Sequence, residues 1–323
     1  MTDTRKNDNI PHPDQKLRIA VVGIGGVGGY LAARLAKAYP HVTVVARGPR
    51  GDSIRKDGLR LCSDLAGDIL SRPEKTVDSA ADLAPQDLIF LCVKTYSLEE
   101  VCGQLEQGQG IGPDTVIVPV MNGMDTSDKA RSYLHQGIVL DALIYIIAFA
   151  GPDYSITQQG PAASLRIGSK ILEAASCVRL TSKILAGAGI DHKVSADIES
   201  DIWKKYILNC AYNIATAFYG SAIGPIRQDP KKAADFEQLV YEAYAVAQVK
   251  GIHVEKRDAD AIIRRFYEEL AEDATSSLQR DVQAKRPTEL ETFSGSLIRE
   301  AGRLQVDVPV SIRMYEGLKE KIG

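Results

Sequence analysis

Residues 18–38 read RIAVVGIGGVGGYLAARLAKA. Leu17, Ile19, Ala20, Val21 and Val22 make a short apolar run rich in β-branched side chains, the pattern of a parallel strand buried on both faces. GIGGVGG follows at 23–29. Beyond it Leu31, Leu35 and Ala38 recur at helical spacing, and Ala32, Ala33 and Ala36 favour helix. Strand, tight glycine turn and helix is the context in which a G-x-G-x-x-G run binds a dinucleotide. Gly23 permits the turn, Gly25 lets a pyrophosphate approach bare backbone, and Gly28 lets helix and strand pack closely. The helix N-terminus then offers its N–H groups to phosphate oxygens. Gly23, Ile24, Gly25, Gly26, Val27 and Gly28 are therefore the expected cofactor-binding residues.

A chain of 323 residues is long enough for two domains. Hydrophobic residues at 45% and charged residues at 25% are the balance of a soluble globular protein. A formal net charge of -3 gives no bulk attraction to nucleic acid, so none is expected as a partner. The longest apolar run, 142–150, is too short to span a bilayer and reads as a core strand. Residues 1–16, MTDTRKNDNIPHPDQK, are polar, carry Pro11 and Pro13, and read as a disordered lead-in rather than a signal peptide. Cys62, Cys92, Cys102, Cys177 and Cys210 show no metal-ligand spacing and sit mostly among apolar residues, as buried thiols in a reducing, cytoplasmic setting. The five histidines are scattered, and no metal site is expected.

Residues 41–46 (HVTVVA) are the second strand, and Arg47 follows at once. An acid at this strand end would hold a ribose 2′-hydroxyl; an arginine suits a 2′-phosphate and favours NADPH over NADH. A solvated loop arginine would look the same in sequence. Arg50 and Arg55 are further candidates for the phosphate. Residues 59–63 and 69–73 read as a hairpin or extra strands. The next buried strand, 88–93 (LIFLCV), ends in Lys94-Thr95-Tyr96, which puts Lys94 at the ligand-binding end of a parallel sheet. Ser97 is a plausible cap for a helix over 97–105. The strand 115–119 runs into Asn122-Gly123, a turn placed to meet a nicotinamide ribose. A short helix is expected at 128–134. Strands over 139–150, 154–158 and 164–167, with turns at Gly151-Pro152 and Gly160-Pro161, are expected to extend the sheet. A helix over 171–186 ends at Gly187 and Gly189. Beyond 194 the buried β runs stop and helical patterns cover 196–219, 231–251, 257–274, 290–302 and 312–322. The expected division is 17–194 for the dinucleotide domain and 195–323 for an all-helical one, with the crevice between domains as the default active site.

Residues 197–218 read DIESDIWKKYILNCAYNIATAF. Lys205, Asn209 and Asn213 are spaced i, i+4 and i+8, along one side of a helix that drifts by about 40° per step. Ile202, Tyr206, Ile207 and Ala217 surround them with apolar side chains. Two amides and a lysine beside a core face need hydrogen-bond partners if buried, and a polar substrate would supply some. A solvated lysine with asparagines on loop backbone fits the spacing equally. A second candidate stretch is 276–291, SSLQRDVQAKRPTELE. Pro287 is expected to end the preceding helix, and Thr288 with Glu291 resembles a capping box that would put Glu289 in a first helical turn.

Taken together, GIGGVGG at 23–29, CVKTY at 92–96, MNGM at 121–124, IWKKYILNCAYN at 202–213 and SSLQRDVQAKRPTELE at 276–291 make the chain resemble the ketopantoate reductase family (2-dehydropantoate 2-reductase) from residue 16 to its end. The resemblance implies a Rossmann-like dinucleotide-binding domain followed by an all-helical substrate-binding and dimerisation domain. It implies NADPH as cofactor, a small 2-keto acid as substrate, a homodimer, and a place in pantothenate and coenzyme A biosynthesis. By position, Lys205 matches the family's catalytic lysine. Glu289 matches the glutamate that holds the substrate hydroxyl. Asn209, Asn213 and Ser277 match substrate contacts, and Asn122 matches an asparagine near nicotinamide and substrate. Arg47 and Lys94 match residues at the adenosine 2′-phosphate. Asp125, Tyr96-Ser97 and Pro287 depart from the usual pattern.

The reaction so implied moves a hydride from the nicotinamide to a 2-keto carbon. Negative charge develops on the ketone oxygen, and Lys205 would meet it as general acid. An ordinary lysine, near pKa 10.4, would be protonated at pH 7 without tuning. The residues leave two other readings open: a reductase of another 2-keto acid, opine- or hydroxyacid-dehydrogenase-like, and a catalytically silent NADPH-binding sensor.

Overall fold

The computed structural model describes residues 16–322. The lead-in expected over 1–16 lies outside the described residues except for Lys16, an exposed turn residue. The chain divides into two compact units. Of the described residues, one holds those through Val93 together with Ser97–Met121 and Thr126–Ile198, and the other holds Lys94–Tyr96, Asn122–Asp125 and those from Glu199 onward.

Among the described residues the first unit carries eleven strands, in chain order β1 (Ile19–Val22), β2 (Val42–Val45), β3 (Leu59–Ser63), β4 (Ile69–Ser71), β5 (Lys75–Val77), β6 (Leu88–Leu91), β7 (Val116–Pro119), β8 (Ile138–Val139), β9 (Asp141–Ala150), β10 (Ile156–Gly168) and β11 (Asp191–Val194). Six of them form a sheet in the order β5-β2-β1-β6-β7-β8. Every pairing in it is parallel, with Ile19 opposite Val42 on one side and Leu88 on the other. This is the doubly wound Rossmann order, whose direction of winding reverses between β1 and β6, so ligands bind beyond the carboxyl ends of those two strands. All four residues of β1, β2, β6 and β7 are buried, which is why they read as near-continuous apolar runs, with Thr43 the polar exception. Their side chains alternate between two cores. Ile19, Val21, Val44 and Phe90 meet Leu31 and Leu35 of the helix Gly26–Ala38. Ala20, Val22, Ile89 and Ile117 meet Leu98, Cys102 and Leu105 of the helix Leu98–Gln107.

The apolar runs after residue 139 predict an extension of this sheet, but the strands there do not join it. Only β8 joins it. A separate sheet runs β11-β10-β3-β4, with β9 antiparallel to β10, and shares its core with the far face of the helix Gly26–Ala38. The close approach is the physical reason for a glycine beyond the three of the motif: a methyl at Gly26 would collide with the Ala148 carbonyl. Gly160-Pro161 does not break the run into two strands. β10 passes through it with a register shift between Gln159 and Ala163, because Pro161 has no N–H for the ladder and a bulge absorbs it. The expected hairpin is present as β3 and β4, paired Leu59 to Ser71. The helix Gly48–Asp57, with Pro49 in its first turn, had no expected counterpart.

The second unit is helical: Ile198–Tyr219, Ile223–Gln228, Pro230–Lys250, Lys256–Glu268, Ser277–Gln283, Ser296–Leu304 and Pro309–Ile322. Trp203, Tyr206, Phe236, Phe266, Phe293 and Met314 are the large members of its core. Local chemistry marks the helix ends. Asp229 accepts from the Lys231 and Lys232 N–H groups, and Glu255 with Asp258 closes a capping box. Pro287 does not end the helix before it. That helix stops at Gln283, and Lys285 turns the chain with φ 51°. Thr288 and Glu291 make no capping box. Glu289 precedes the next helix, its carbonyl accepting from Thr292 and Phe293, and a wide π turn runs over Glu291–Gly295. Glu291 is drawn away to Arg299 and Tyr315.

Candidate active site

The dinucleotide loop lies at the carboxyl end of β1. Gly23 has φ +90°, where a side chain is strained, and a methyl at Gly28 would strike the Gly23 carbonyl. Gly25 is different: nothing lies within 4 Å of where its Cβ would stand. It is also the N-cap of the helix Gly26–Ala38, and no side chain caps that terminus. Open space against bare backbone, at the positive end of a helix, fits a pyrophosphate. Arg47 follows β2, keeps its side chain 78% exposed and stands 3.7 Å from Glu100. Arg50 donates to the Ile24 carbonyl of the glycine loop and lies over the Tyr154 ring. Arg55 is removed from the candidates for the phosphate, because Asp52 and Asp78 take its guanidinium at 2.8 and 2.7 Å.

The second unit gathers the acid–base residues. Lys205 lies on the helix Ile198–Tyr219, and its Nζ donates to Asn122 Oδ1 at 3.2 Å. Burial of the ammonium lowers the Lys205 pKa to about 8, against the opposing charge of Glu289. The expectation of an untuned lysine is thus corrected: burial takes water from the ammonium and disfavours its charged form. At pH 7 a group with that pKa is still protonated by roughly ten to one.

Glu289 is 5% exposed. Lys94 Nζ donates to its Oε2 at 2.8 Å, and the Thr95 N–H and hydroxyl face its Oε1 at 3.4 Å each. Lys94 also reaches Asp281 at 3.4 Å. Burial pulls the Lys94 pKa down, but the two carboxylates outweigh it and the pKa is raised. Lys94, which the resemblance assigned to the 2′-phosphate, therefore has its charge engaged by Glu289 and Asp281.

The asparagines differ. Asn209 is half-buried, and its side-chain amide takes no hydrogen bond among the described residues. Asn213 is buried and committed to the fold. It donates to the Asn209 carbonyl at 3.0 Å and accepts from Ser277 Oγ at 3.3 Å and the Leu278 N–H at 3.4 Å. Ser277 thus spends its hydroxyl on Asn213. The contacts of Thr95, Thr292 and Asp281 were missed in sequence. Thr95 carried one signal, its place next to Lys94 at a strand end. Among the described residues no cluster of three or more His, Cys, Asp or Glu is placed to hold a metal, and no helix is long and apolar enough to cross a membrane.

A doubly wound dinucleotide-binding unit joined to a helical unit carrying a desolvated lysine and a paired carboxylate defines a class, the nicotinamide-dependent oxidoreductases. The chain belongs to the ketopantoate reductase PanE/ApbA family: the family's N-terminal model matches residues 19–170 and its C-terminal model residues 197–321. A 2-dehydropantoate 2-reductase of Mesorhizobium japonicum is 28% identical over 91% of this chain and 93% of its own length. The uncharacterized oxidoreductase YkpB of Bacillus subtilis is 26% identical over 94% of this chain and 98% of its own. A PanE/ApbA family ketopantoate reductase from Ralstonia eutropha superposes with a TM-score of 0.84 at 25% identity, over 95% of this chain and 98% of that one.

Proposed function

We propose that the protein reduces 2-dehydropantoate (ketopantoate) to pantoate with NADPH, and that Lys205 is the general acid. The observation that carries this reading is the half-buried Lys205, its ammonium held on Asn122 and sharing a unit with the paired Glu289 carboxylate. NADPH supplies the hydride for the 2-keto carbon. As the carbonyl carbon gains that hydride, its oxygen becomes an alkoxide, and Lys205 donates first a hydrogen bond and then its proton. A lysine near pKa 8 gives up that proton more readily than one at 10.5. Glu289 accepts from the substrate's distal hydroxyl, and Asn209 offers an unused amide to the substrate's oxygens. Ser277 and Asn213 shape that end of the site through their mutual hydrogen bond rather than by direct contact. Arg47 takes the 2′-phosphate, which supports NADPH over NADH. The helical unit, as in the family resemblance, is the proposed homodimer surface, and the setting is cytoplasmic.

The test is NADPH oxidation with ketopantoate beside 3,3-dimethyl-2-oxobutanoate, the same acid without the hydroxyl. The reading requires turnover of ketopantoate and a preference of at least tenfold in kcat/KM, because a site built to bind a hydroxyl leaves buried polar groups unpaired when it is missing. Turnover of a different 2-keto acid with none of ketopantoate would reassign the substrate. Tight NADPH binding without turnover would make the protein a sensor.

A further inference from the structure

Glu289 is held by more than Lys94. Its Oε1 faces two donors of Thr95, the N–H and the hydroxyl. The Thr95 hydroxyl is itself hydrogen-bonded to the Thr292 hydroxyl. Thr292 is buried at 5% exposure, one turn beyond Glu289, with its N–H on the Glu289 carbonyl at 3.0 Å. Its own carbonyl accepts from the Tyr206 hydroxyl at 2.9 Å, and Tyr206 is the neighbour of Lys205 in the chain. Thr292 lies in the π turn Glu291–Gly295, where the Ser296 N–H reaches back five residues to the Glu291 carbonyl. Such turns widen a helix locally and recur at functional sites.

Each threonine hydroxyl has one proton to give. The Thr95 proton points to Glu289 Oε1, so the Thr292 proton points to the Thr95 oxygen. The order of donation is Thr292 to Thr95 to Glu289. With Oε1 taking two donors and Oε2 taking Lys94, the accepting capacity left to the carboxylate among the described residues is on Oε2.

We infer that Thr95 and Thr292 are positioning residues that set the rotation of the Glu289 carboxylate and so make this site select substrates carrying a hydroxyl donor. The inference deepens the proposed reductase reading and rests on it for the identity of the substrate. Glu289 remains the group that touches the ligand; the threonines act through it. A carboxylate free to rotate would lose the fixed lone-pair direction and with it much of the selection, since a poorly aligned hydrogen bond weakens steeply.

The test is Thr292→Val, which keeps shape and removes the hydroxyl, measured as kcat/KM for ketopantoate and for 3,3-dimethyl-2-oxobutanoate. Expected is a fall of about tenfold for the hydroxylated acid, about the loss of one hydrogen bond to a charged group, with the other acid within about twofold. Thr292→Ser should restore the ratio. Equal losses on both acids, no loss on either, or failure of Ser to restore the ratio would overturn the inference. Should T292V not fold, Thr95→Ala interrupts the same relay from its other end and is read in the same way. If the wild type reduces neither acid, the ketopantoate reading fails. The relay is then read by the Thr95 amide in a 1H–15N spectrum: a shift in T292V that T292S reverses supports it, and an unmoved amide overturns it.

Discussion

Lys94 and Glu289 are 195 residues apart in the chain, and their charged atoms are 2.8 Å apart in the fold. The lysine is only partly covered, at 41% side-chain exposure, while the glutamate is buried at 5%. A buried carboxylate needs a paired cation, and Lys94 is that cation.

Lys94→Met is therefore expected to act on the keto acid rather than on the cofactor. The KM for ketopantoate should rise about tenfold or more, the loss of one charge-assisted hydrogen bond, while the NADPH-to-NADH preference stays within about twofold. Steady-state kinetics with both cofactors decides the matter. A collapse of the cofactor preference would return Lys94 to the 2′-phosphate.

Arg47→Ala should do the reverse. NADPH affinity is expected to fall by about ten- to a hundredfold, since an arginine–phosphate contact is a strong charge-assisted pair, and NADH affinity should hold. Titration of the two cofactors by fluorescence measures both. Parallel losses would mean that Arg47 supports the loop rather than the phosphate.

The pH dependence of kcat/KM for the keto acid should show a limb falling above about 8, where Lys205 loses its proton. Below that limb the acid form dominates and the rate is level with respect to this group. A flat profile from 7 to 9.5 would remove Lys205 as the acid.

Lys205→Met should lower turnover by about a thousandfold, within the range of general-acid contributions, and should stabilise the fold. The Lys205 pKa falls from 10.5 unfolded to about 8 folded. Between those values the unfolded chain holds more protons, so the stability contributed at this site rises with pH; below 8 the full cost of burying the charge is present. Removing the charge should therefore raise Tm at pH 7 by about 2–4 °C for each kcal/mol recovered. Differential scanning calorimetry at pH 7 and pH 10 checks it: the gain should shrink at the higher pH.

Glu242 is a purely structural case. It is 2% exposed, and its carboxylate accepts from the Val310 N–H, the Ser311 N–H and the Ser311 hydroxyl at 2.7 to 2.9 Å, capping the helix Pro309–Ile322. Glu242→Ala leaves those donors unpaired and should cost about 3 kcal/mol. Urea denaturation should show a lower midpoint with an unchanged m-value, and cofactor affinity should not move in the folded variant.

Much of this was legible in residue order. The glycine loop, the buried parallel strands and the helix bearing Lys205 are patterns of short range, each visible within a window of twenty residues or fewer. The second sheet was not legible, because a run such as 142–150 states that it is buried without stating which neighbour buries it. Nor was the use of Asn213. Its helical spacing with Lys205 and Asn209 resembles a substrate stripe, and only the approach of Ser277 and Leu278 shows where its amide is spent.

Residue order alone defines the class of the molecule: a dinucleotide loop on a doubly wound sheet, then a helical unit with a lysine on a core-facing stripe. Backbone conformation and apolar periodicity carry that information locally. The electrostatics of the site come from the folded arrangement. The lowered pKa of Lys205, the pairing of Lys94 with Glu289 and the threonine relay behind it arise where segments as far apart as 95 and 292 share one desolvated volume. Charge interaction and burial depend on distance in space, which residue order does not contain.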